Sequence, residues 1–160
     1  MGPSVQEPSE SLVGTLGGVV GGTLGAPVNA LKNLHLLSCS TQPYAVTTKN
    51  VGREGGVIVV GTHKLTIPAG ALSRTVTIKA EQVPGNVNSV RFSPEGLQFS
   101  KTATVELSYR NCSPLLGILK RVAYTDERLK ILDLIPSLDL LNLQTVRGSI
   151  KHFSRYAVAW

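Results

Sequence analysis

Charge is scarce in this chain: Asp, Glu, Lys and Arg together make up 16% of it, and aromatic residues only 5%. The first scarcity excludes a coiled coil and a highly charged disordered chain. The second makes a stacked platform for glycans or single-stranded nucleic acid hard to assemble. With 2 cysteines the chain has too few for a disulfide-dense mini-protein. The histidines are His35, His63 and His152, and they share no metal-ligand spacing with each other or with the cysteines, so no metal site is expected. No P-loop, GxGxxG or GxSxG occurs. These absences argue against an ordinary metabolic enzyme, and neither a cofactor nor a small-molecule substrate is expected. The start lacks the positively charged stretch of a signal peptide.

What is present is a chain of 160 residues, 42% hydrophobic, with 16 glycines and 9 prolines. That length suits one domain with a sizeable core. Net charge is +6. Residues 1–31 contain Glu7 and Glu10 but no Lys or Arg, so the basic excess lies entirely in the remainder. There it is scattered among apolar residues, as at Lys64, Lys79, Arg91, Lys101, Arg110 and Arg147, where a solvated sheet face would put it. This spread argues against nucleic acid as a partner.

Residues 1–10 read as a disordered tail. Residues 11–31 are uncharged, with Gly14, Gly18 and Gly22 spaced by four and Gly17, Gly21 and Gly25 likewise. On a helix each series would form a small-residue face, as in packed membrane helices. Glycine is also a poor helix former, and Pro27 would interrupt a helix. Two readings follow for this segment: a flexible or loosely helical tether, or membrane contact through 11–31. The organisation expected is a tail and Gly-rich linker over 1–43, then one folded domain over 44–160.

The second part alternates with period two. Val57 to Val60 and His63 to Ile67 flank Gly61-Thr62, as a hairpin with a type II′ turn would. His63 follows that turn and is expected at the surface. Further alternating stretches are Thr75 to Ala80, Val90 to Phe92, Thr102 to Tyr109, Arg121 to Tyr124, Leu129 to Leu134, Thr145 to Ile150 and Ser154 to Trp160. Together they predict an all-β chain folded as an antiparallel β-sandwich. Over Pro136 to Leu143 a short helix capped by Ser137 is the alternative to strand. Asp126, Glu127 and Asp133 read as isolated acids. Cys39 and Cys112 are either a disulfide, which needs an oxidising compartment, or two unrelated thiols.

Several motifs carry a resemblance. Gly55-Gly56 precedes the hairpin. Then come Leu65-Thr66-Ile67-Pro68-Ala69-Gly70-Ala71-Leu72 and, after a Val-Thr-Ile strand, Ser93-Pro94-Glu95-Gly96-Leu97-Gln98-Phe99. Over Gly55 to Tyr109 this order resembles the ZU-five domain of ankyrins, netrin receptors and zona-occludens proteins, in a version similar to stretches of bacterial exported proteins. The residues that carry it are Ile67, Pro68, Gly70, Pro94, Glu95, Gly96 and Phe99, and each has a structural reason. Pro68 ends a strand, Gly70 allows a tight turn, and Pro94 and Gly96 frame another. The resemblance implies a non-catalytic interaction or structural module with a protein partner. The location expected is extracytoplasmic or membrane-associated, with a cytoplasmic one as the alternative.

A second resemblance implies chemistry. His152-Phe153-Ser154 resembles the self-cleavage site of the nucleoporin autoproteolytic domain, the function-to-find domain of inflammasome proteins and the PIDDosome scaffold. There the residue matching Ser154 attacks the carbonyl of the one matching Phe153. An ester forms by N→O acyl shift, and water hydrolyses it. Such chemistry needs a base, for which His152 is the candidate, and an oxyanion donor, which the sequence does not identify. The structural alternative packs Phe153 and Tyr156 into the core and makes Ser154 the start of a strand.

Overall fold

The computed structural model describes residues 34–113 and 117–160. The tail and the Gly-rich segment, with the tether and membrane readings made for them, lie outside the described residues.

The described residues form eleven strands in order: β1 (Ala45–Val51), β2 (Gly56–Val60), β3 (His63–Ile67), β4 (Val76–Val83), β5 (Ser89–Ser93), β6 (Gln98–Ser108), β7 (Arg121–Thr125), β8 (Ile131–Ile135), β9 (Ser137–Leu140), β10 (Thr145–His152) and β11 (Arg155–Ala159). One sheet has the order β9-β10-β6-β3-β2 and the other β1-β4-β5-β11-β7-β8. Every pairing is antiparallel. The two sheets pack face to face as a β-sandwich, so the all-β expectation holds.

Period two builds the core. Ile58 and Val60 on β2, Leu65 and Ile67 on β3, Val105 and Leu107 on β6, and Val146 and Ile150 on β10 all turn inward from the first sheet. Ile78 and Ala80, Val90 and Phe92, Val122, and Tyr156 and Val158 meet them from the second. Each large side chain removed from water in this way contributes roughly 1.5–3 kcal/mol. At one side of the sandwich the edge strands are stitched together. Thr47 and Lys49 on β1 donate side-chain hydrogen bonds to the carbonyls of Val59 (2.7 Å) and Val57 (2.9 Å) on β2, which occupies edge groups that would otherwise be open.

The other side is closed differently. β8 and β9 are separated only by Pro136, and the chain passes there from one sheet to the other. Pro136 to Leu143 is therefore a strand followed by a single 3-10 turn, Leu141–Leu143, and not a helix capped by Ser137. Ser137 begins β9; its hydroxyl donates to the Ile135 carbonyl (2.6 Å) and accepts the Val122 amide (2.9 Å).

The chain on the N-terminal side of residue 44 is tied to the sandwich from Leu34 onward. His35 and Trp160 exchange backbone hydrogen bonds of 3.1 and 2.9 Å, and the Leu37 amide donates to Val158 at 2.9 Å. Leu37 is in the core, while Leu34 and Leu36 cover Ala123, Leu134 and Ala159 on the outer face of the second sheet. Cys39 and Cys112 stand opposite each other in an isolated antiparallel bridge, their sulfurs at a bonding distance of 2.02 Å.

One glycine of the Gly55–Tyr109 stretch is demanded by a close approach. Gly55 has φ +75°, and a Cβ there would lie 2.3 Å from the Ile67 carbonyl oxygen. No side chain fits, so Gly55 lets the turn before β2 lie directly on the Ile67-Pro68 strand end.

Candidate functional site

β10 and β11 belong to different sheets, and the link between them is Phe153-Ser154. This crossing brings the His152, Phe153 and Ser154 backbone against the turn that precedes β6. The Phe153 amide donates to the Leu97 carbonyl (2.9 Å), and the Gly96 amide donates to the Phe153 carbonyl (3.0 Å). The Ser154 carbonyl in turn accepts the Phe92 amide (3.1 Å). The Phe153 ring is 1% exposed, stacked on Phe92 at 5.2 Å and edge-on to Phe99 at 5.0 Å. Tyr156 is wholly buried, and its hydroxyl donates to the His152 carbonyl at 2.5 Å. Burial pushes the Tyr156 phenol well above its ordinary pKa, so it stays a donor at all ordinary pH.

The His152 ring lies edge-on to Tyr124, with centroids 5.0 Å apart. Its Nδ1 is 3.4 Å from the Phe153 carbonyl oxygen, a long contact that the Nδ1–H tautomer would make as a donor. Among the described residues, no hydrogen bond joins either ring nitrogen to the Ser154 hydroxyl. The ring of His152, the candidate base in the sequence, thus faces the Phe153 carbonyl, the one that self-cleavage would attack.

Ser154 instead lines a cleft of about 40 Å³ with Arg91, Phe92, Ser93, Glu95 and Glu127. That volume admits a water or two, far short of the several hundred Å³ of a small-molecule site. The cleft is bordered by a charged network on the outer face of the second sheet. Arg91 meets Glu127 at 2.7 Å and Glu81 at 3.5 Å. Arg155, 6% exposed, donates to Ser89 Oγ at 2.9 Å and to the Glu127 carbonyl at 2.8 Å. The hydrogen bond to Glu127 pushes the Arg91 guanidinium up. At Glu81 burial opposes ionisation, but the Tyr44 hydroxyl, Lys79 and Arg91 outweigh it and hold the carboxyl below its ordinary value. Glu127, read from sequence as isolated, is the partner of two arginines.

The other family-like residues are structural in placement. Ile67 and Phe99 are in the core. Pro68 follows the last residue of β3, and the Gly70 amide donates to the Arg53 carbonyl (2.8 Å). The turn through Pro94, Glu95 and Gly96 closes with the Leu97 amide on the Pro94 carbonyl (3.2 Å). The Ser93–Pro94 peptide is cis.

Sequence reasoning singled out Gly96 as a turn glycine but missed its contact with the Phe153 carbonyl. Its turn is legible, but that its N–H would meet a carbonyl supplied by the distant crossing after β10 depends on how two loops register. Gly96 has φ +80°, and a Cβ there would meet nothing within 4 Å. Gly96→Ala is therefore expected to cost only the left-handed backbone penalty of about 1–2 kcal/mol while keeping the N–H in place. Urea unfolding of the variant checks this; a loss above about 3 kcal/mol would mean that the loop also clashes.

His63 corrects another expectation. It is 1% exposed, not at the surface, because it shares the inward face of β3 with Leu65 and Ile67. It sits far from Ser154, at the end of the sandwich that holds Cys39 and Cys112. That end also gathers a polar plug. Asn88 Nδ2 donates to the Ser108 carbonyl (2.8 Å), Asn111 Nδ2 to the Ser40 carbonyl (2.7 Å), and Gln82 Nε2 to the Pro43 carbonyl (2.8 Å).

The fold defines the chain as an antiparallel β-sandwich with a His-Phe-Ser crossing whose Phe153 is buried and whose His152 and Ser154 are partly exposed. Compared with family models and with curated proteins, the chain matches none.

Proposed function

We propose that the protein is a non-catalytic interaction module, a ZU-five-like sandwich whose partner docks on its surface rather than in a pocket. The observation that carries this reading is the set of exposed aliphatic side chains at one end of the sandwich, Leu119, Leu141 and Leu143, each more than half exposed and none needed by the core. The location that fits is extracytoplasmic, because the Cys39–Cys112 pairing persists in an oxidising compartment. The His-Phe-Ser crossing is then architectural: Phe153 fills the core, and Tyr156 pins the His152 carbonyl.

A second reading has its own supporting observation. The Gly96 amide and His152 Nδ1 both face the Phe153 carbonyl oxygen, as an oxyanion hole would require. In a single-turnover self-cleavage, Ser154 Oγ adds to the Phe153 carbonyl carbon. The C–N bond to Ser154 then breaks as the amine takes a proton, leaving an ester that water hydrolyses.

Intact mass under denaturing conditions separates the two. The interaction module gives one full-length C-terminus. Self-cleavage gives a chain ending at Phe153 and a released peptide from Ser154 to Trp160, both absent in a folded Ser154→Ala variant. Denaturing conditions matter, because the Arg155–Ala159 strand pairs on both sides and would hold a cleaved peptide in place.

A further inference from the structure

β7 and β9 belong to different sheets, yet they meet along the side where the chain crosses at Pro136. The Ser137 hydroxyl accepts the Val122 amide (2.9 Å), and Asp139 Oδ2 accepts the Lys120 amide (2.8 Å). Both contacts fit one antiparallel register: a step of two residues forward at β7 is a step of two back at β9. Between them, that register sets Arg121 beside Leu138. One residue earlier it sets Leu119 beside Leu140, where β9 passes into the 3-10 turn.

The far side of that turn is fixed by the residues after β6. The Tyr109 amide donates to the Gln144 carbonyl (2.8 Å), and its hydroxyl to Asp139 Oδ1 (2.6 Å). Arg110 Nε donates to the Leu143 carbonyl (3.3 Å). Leu138, Leu119, Leu141 and Leu143 therefore follow one another as a strip, with Arg121 beside its first leucine and Arg110 beside its last. The leucines are 56%, 62%, 58% and 52% exposed. Both arginines are exposed too.

The charge of this strip is one-sided. Segments 108–113, 117–122 and 137–145 contain Arg110, Lys120 and Arg121 but a single acid, Asp139. Both oxygens of Asp139 are engaged within the fold, as given above. Lys120 is buried, with Nζ on the Ile118 carbonyl (2.8 Å). Among the described residues neither Arg110 nor Arg121 forms an ion pair.

We infer that this strip docks an acidic, aliphatic segment of another protein, with apolar side chains against the leucines and a carboxylate against each arginine. The inference rests on the interaction-module reading and names the chemistry of its partner. Charge decides among the occupants an apolar strip could take. A second copy would bring arginines to a surface that offers them no acid, and like charges brought together oppose association. An acidic segment supplies the missing sign. The placing of the cations favours a peptide over a lipid surface. They stand at the two ends of the strip, and Arg110 is held there by the Leu143 carbonyl. Guanidiniums fixed in this way suit individual carboxylates at set positions along a chain, which they can meet with two hydrogen bonds each. Holding them in place before binding also lowers the cost of ordering them.

The test selects a display library of random short peptides on the full chain, with counter-selection on Leu119→Ser/Leu141→Ser/Leu143→Ser. An enriched peptide is then synthesised and titrated by calorimetry. Sedimentation velocity of the chain alone and co-sedimentation with phosphatidylglycerol vesicles run beside it. The expected peptides combine Asp or Glu with aliphatic residues, and their binding weakens as salt rises. The leucine variant should lose at least about tenfold in affinity, since it removes the centre of the contact. Arg110→Glu/Arg121→Glu should lose a similar factor, and selection repeated on it should turn to peptides with Lys or Arg. The substituted side chains are exposed, so thermal unfolding should leave both variants folded. A leucine variant that unfolds more than a few degrees lower is replaced by Leu119→Ser alone.

A selection that enriches nothing over the leucine variant overturns the inference, and so does enrichment of neutral or basic peptides on the wild type. Acidic peptides whose binding neither variant changes dock elsewhere; the inference then falls and the interaction module stands. Leucine-dependent self-association would give the strip to a second copy, and leucine-dependent vesicle binding without peptide binding would give it to lipid. Either outcome also overturns the inference and leaves the module. Cleavage at Phe153–Ser154 with no binding or association of any kind would overturn the module itself.

Discussion

Reducing the Cys39–Cys112 bond lowers stability by about 4 kcal/mol. The two cysteines are separated by 73 residues, so cross-linking them removes much of the freedom of the unfolded chain. The chain-entropy relation gives about 4 kcal/mol for a loop of that size. In a domain of this length such a loss moves the unfolding midpoint down by roughly 10–20 °C. The native segment around the bond is well prepared to survive without it. The Ser113 amide donates to the Ser38 carbonyl (2.9 Å), the Ser40 amide to the Asn111 carbonyl (2.8 Å), and the Cys39 amide to the Asn86 carbonyl (2.8 Å). Reduction should therefore leave the fold recognisable and act mainly through the unfolded state. Calorimetry with and without a reductant measures the shift, and Cys39→Ser/Cys112→Ser, which reductant should no longer affect, is the control. A shift under about 1 kcal/mol would mean that the unfolded chain already keeps these two segments together.

The same region shows what the sequence could and could not reveal. Leu34 to Ser40 is bound by backbone pairing with Val158 and Trp160, and backbone pairing leaves no mark on composition. A stretch after a Gly-rich segment therefore reads as linker when it is an added partner of β11. β9 was obscured for a related reason. It is an edge strand whose first two residues, Ser137 and Leu138, are exposed, so burial imposes no alternation on it. Strands buried on one face, such as β4, β6 and β10, do alternate and were legible. For the candidate site, the residue types were legible at His152, Phe153 and Ser154, whereas the direction of the His152 ring and the Gly96 contact were not. Both depend on how the turn before β6 seats against the crossing after β10, which is a matter of sheet packing rather than of local pattern. His63 differs from these, because its parity with Leu65 and Ile67 carries the signal for burial. A turn-flanking histidine looks exposed only when that parity is set aside.

His63 makes the domain lose stability as pH falls below 6.5. Its Nδ1 accepts the Ser108 backbone amide (3.1 Å), and a backbone N–H can only donate, so the proton of the neutral ring is on Nε2, facing Gln42 Oε1 (3.0 Å). Protonation at Nδ1 would set two N–H groups against each other inside the core. Burial pushes the pKa of His63 down from 6.5 to about 4. The sign follows directly. Above pH 6.5 the ring is neutral in both the folded and unfolded chain, and its contribution to stability is complete. Between 6.5 and about 4 the unfolded chain takes up a proton that the folded one refuses, so stability declines by up to about 1.4 kcal/mol per pH unit, to a total near 3 kcal/mol. Glu81, whose carboxyl is held below 4.5, adds its own acid sensitivity only under that pH, so the upper part of the window belongs to His63. Two measurements check this. NMR titration of the ring should show no protonation of folded His63 until the pH approaches 4. Urea unfolding should show stability falling from pH 6.5 to 5 in the wild type, and a flatter dependence in His63→Gln. Equal slopes in the two proteins, together with a ring that titrates near 6.5, would mean that His63 is open to solvent and that the plug around Gln42, Asn88 and Asn111 does not seal that end of the sandwich.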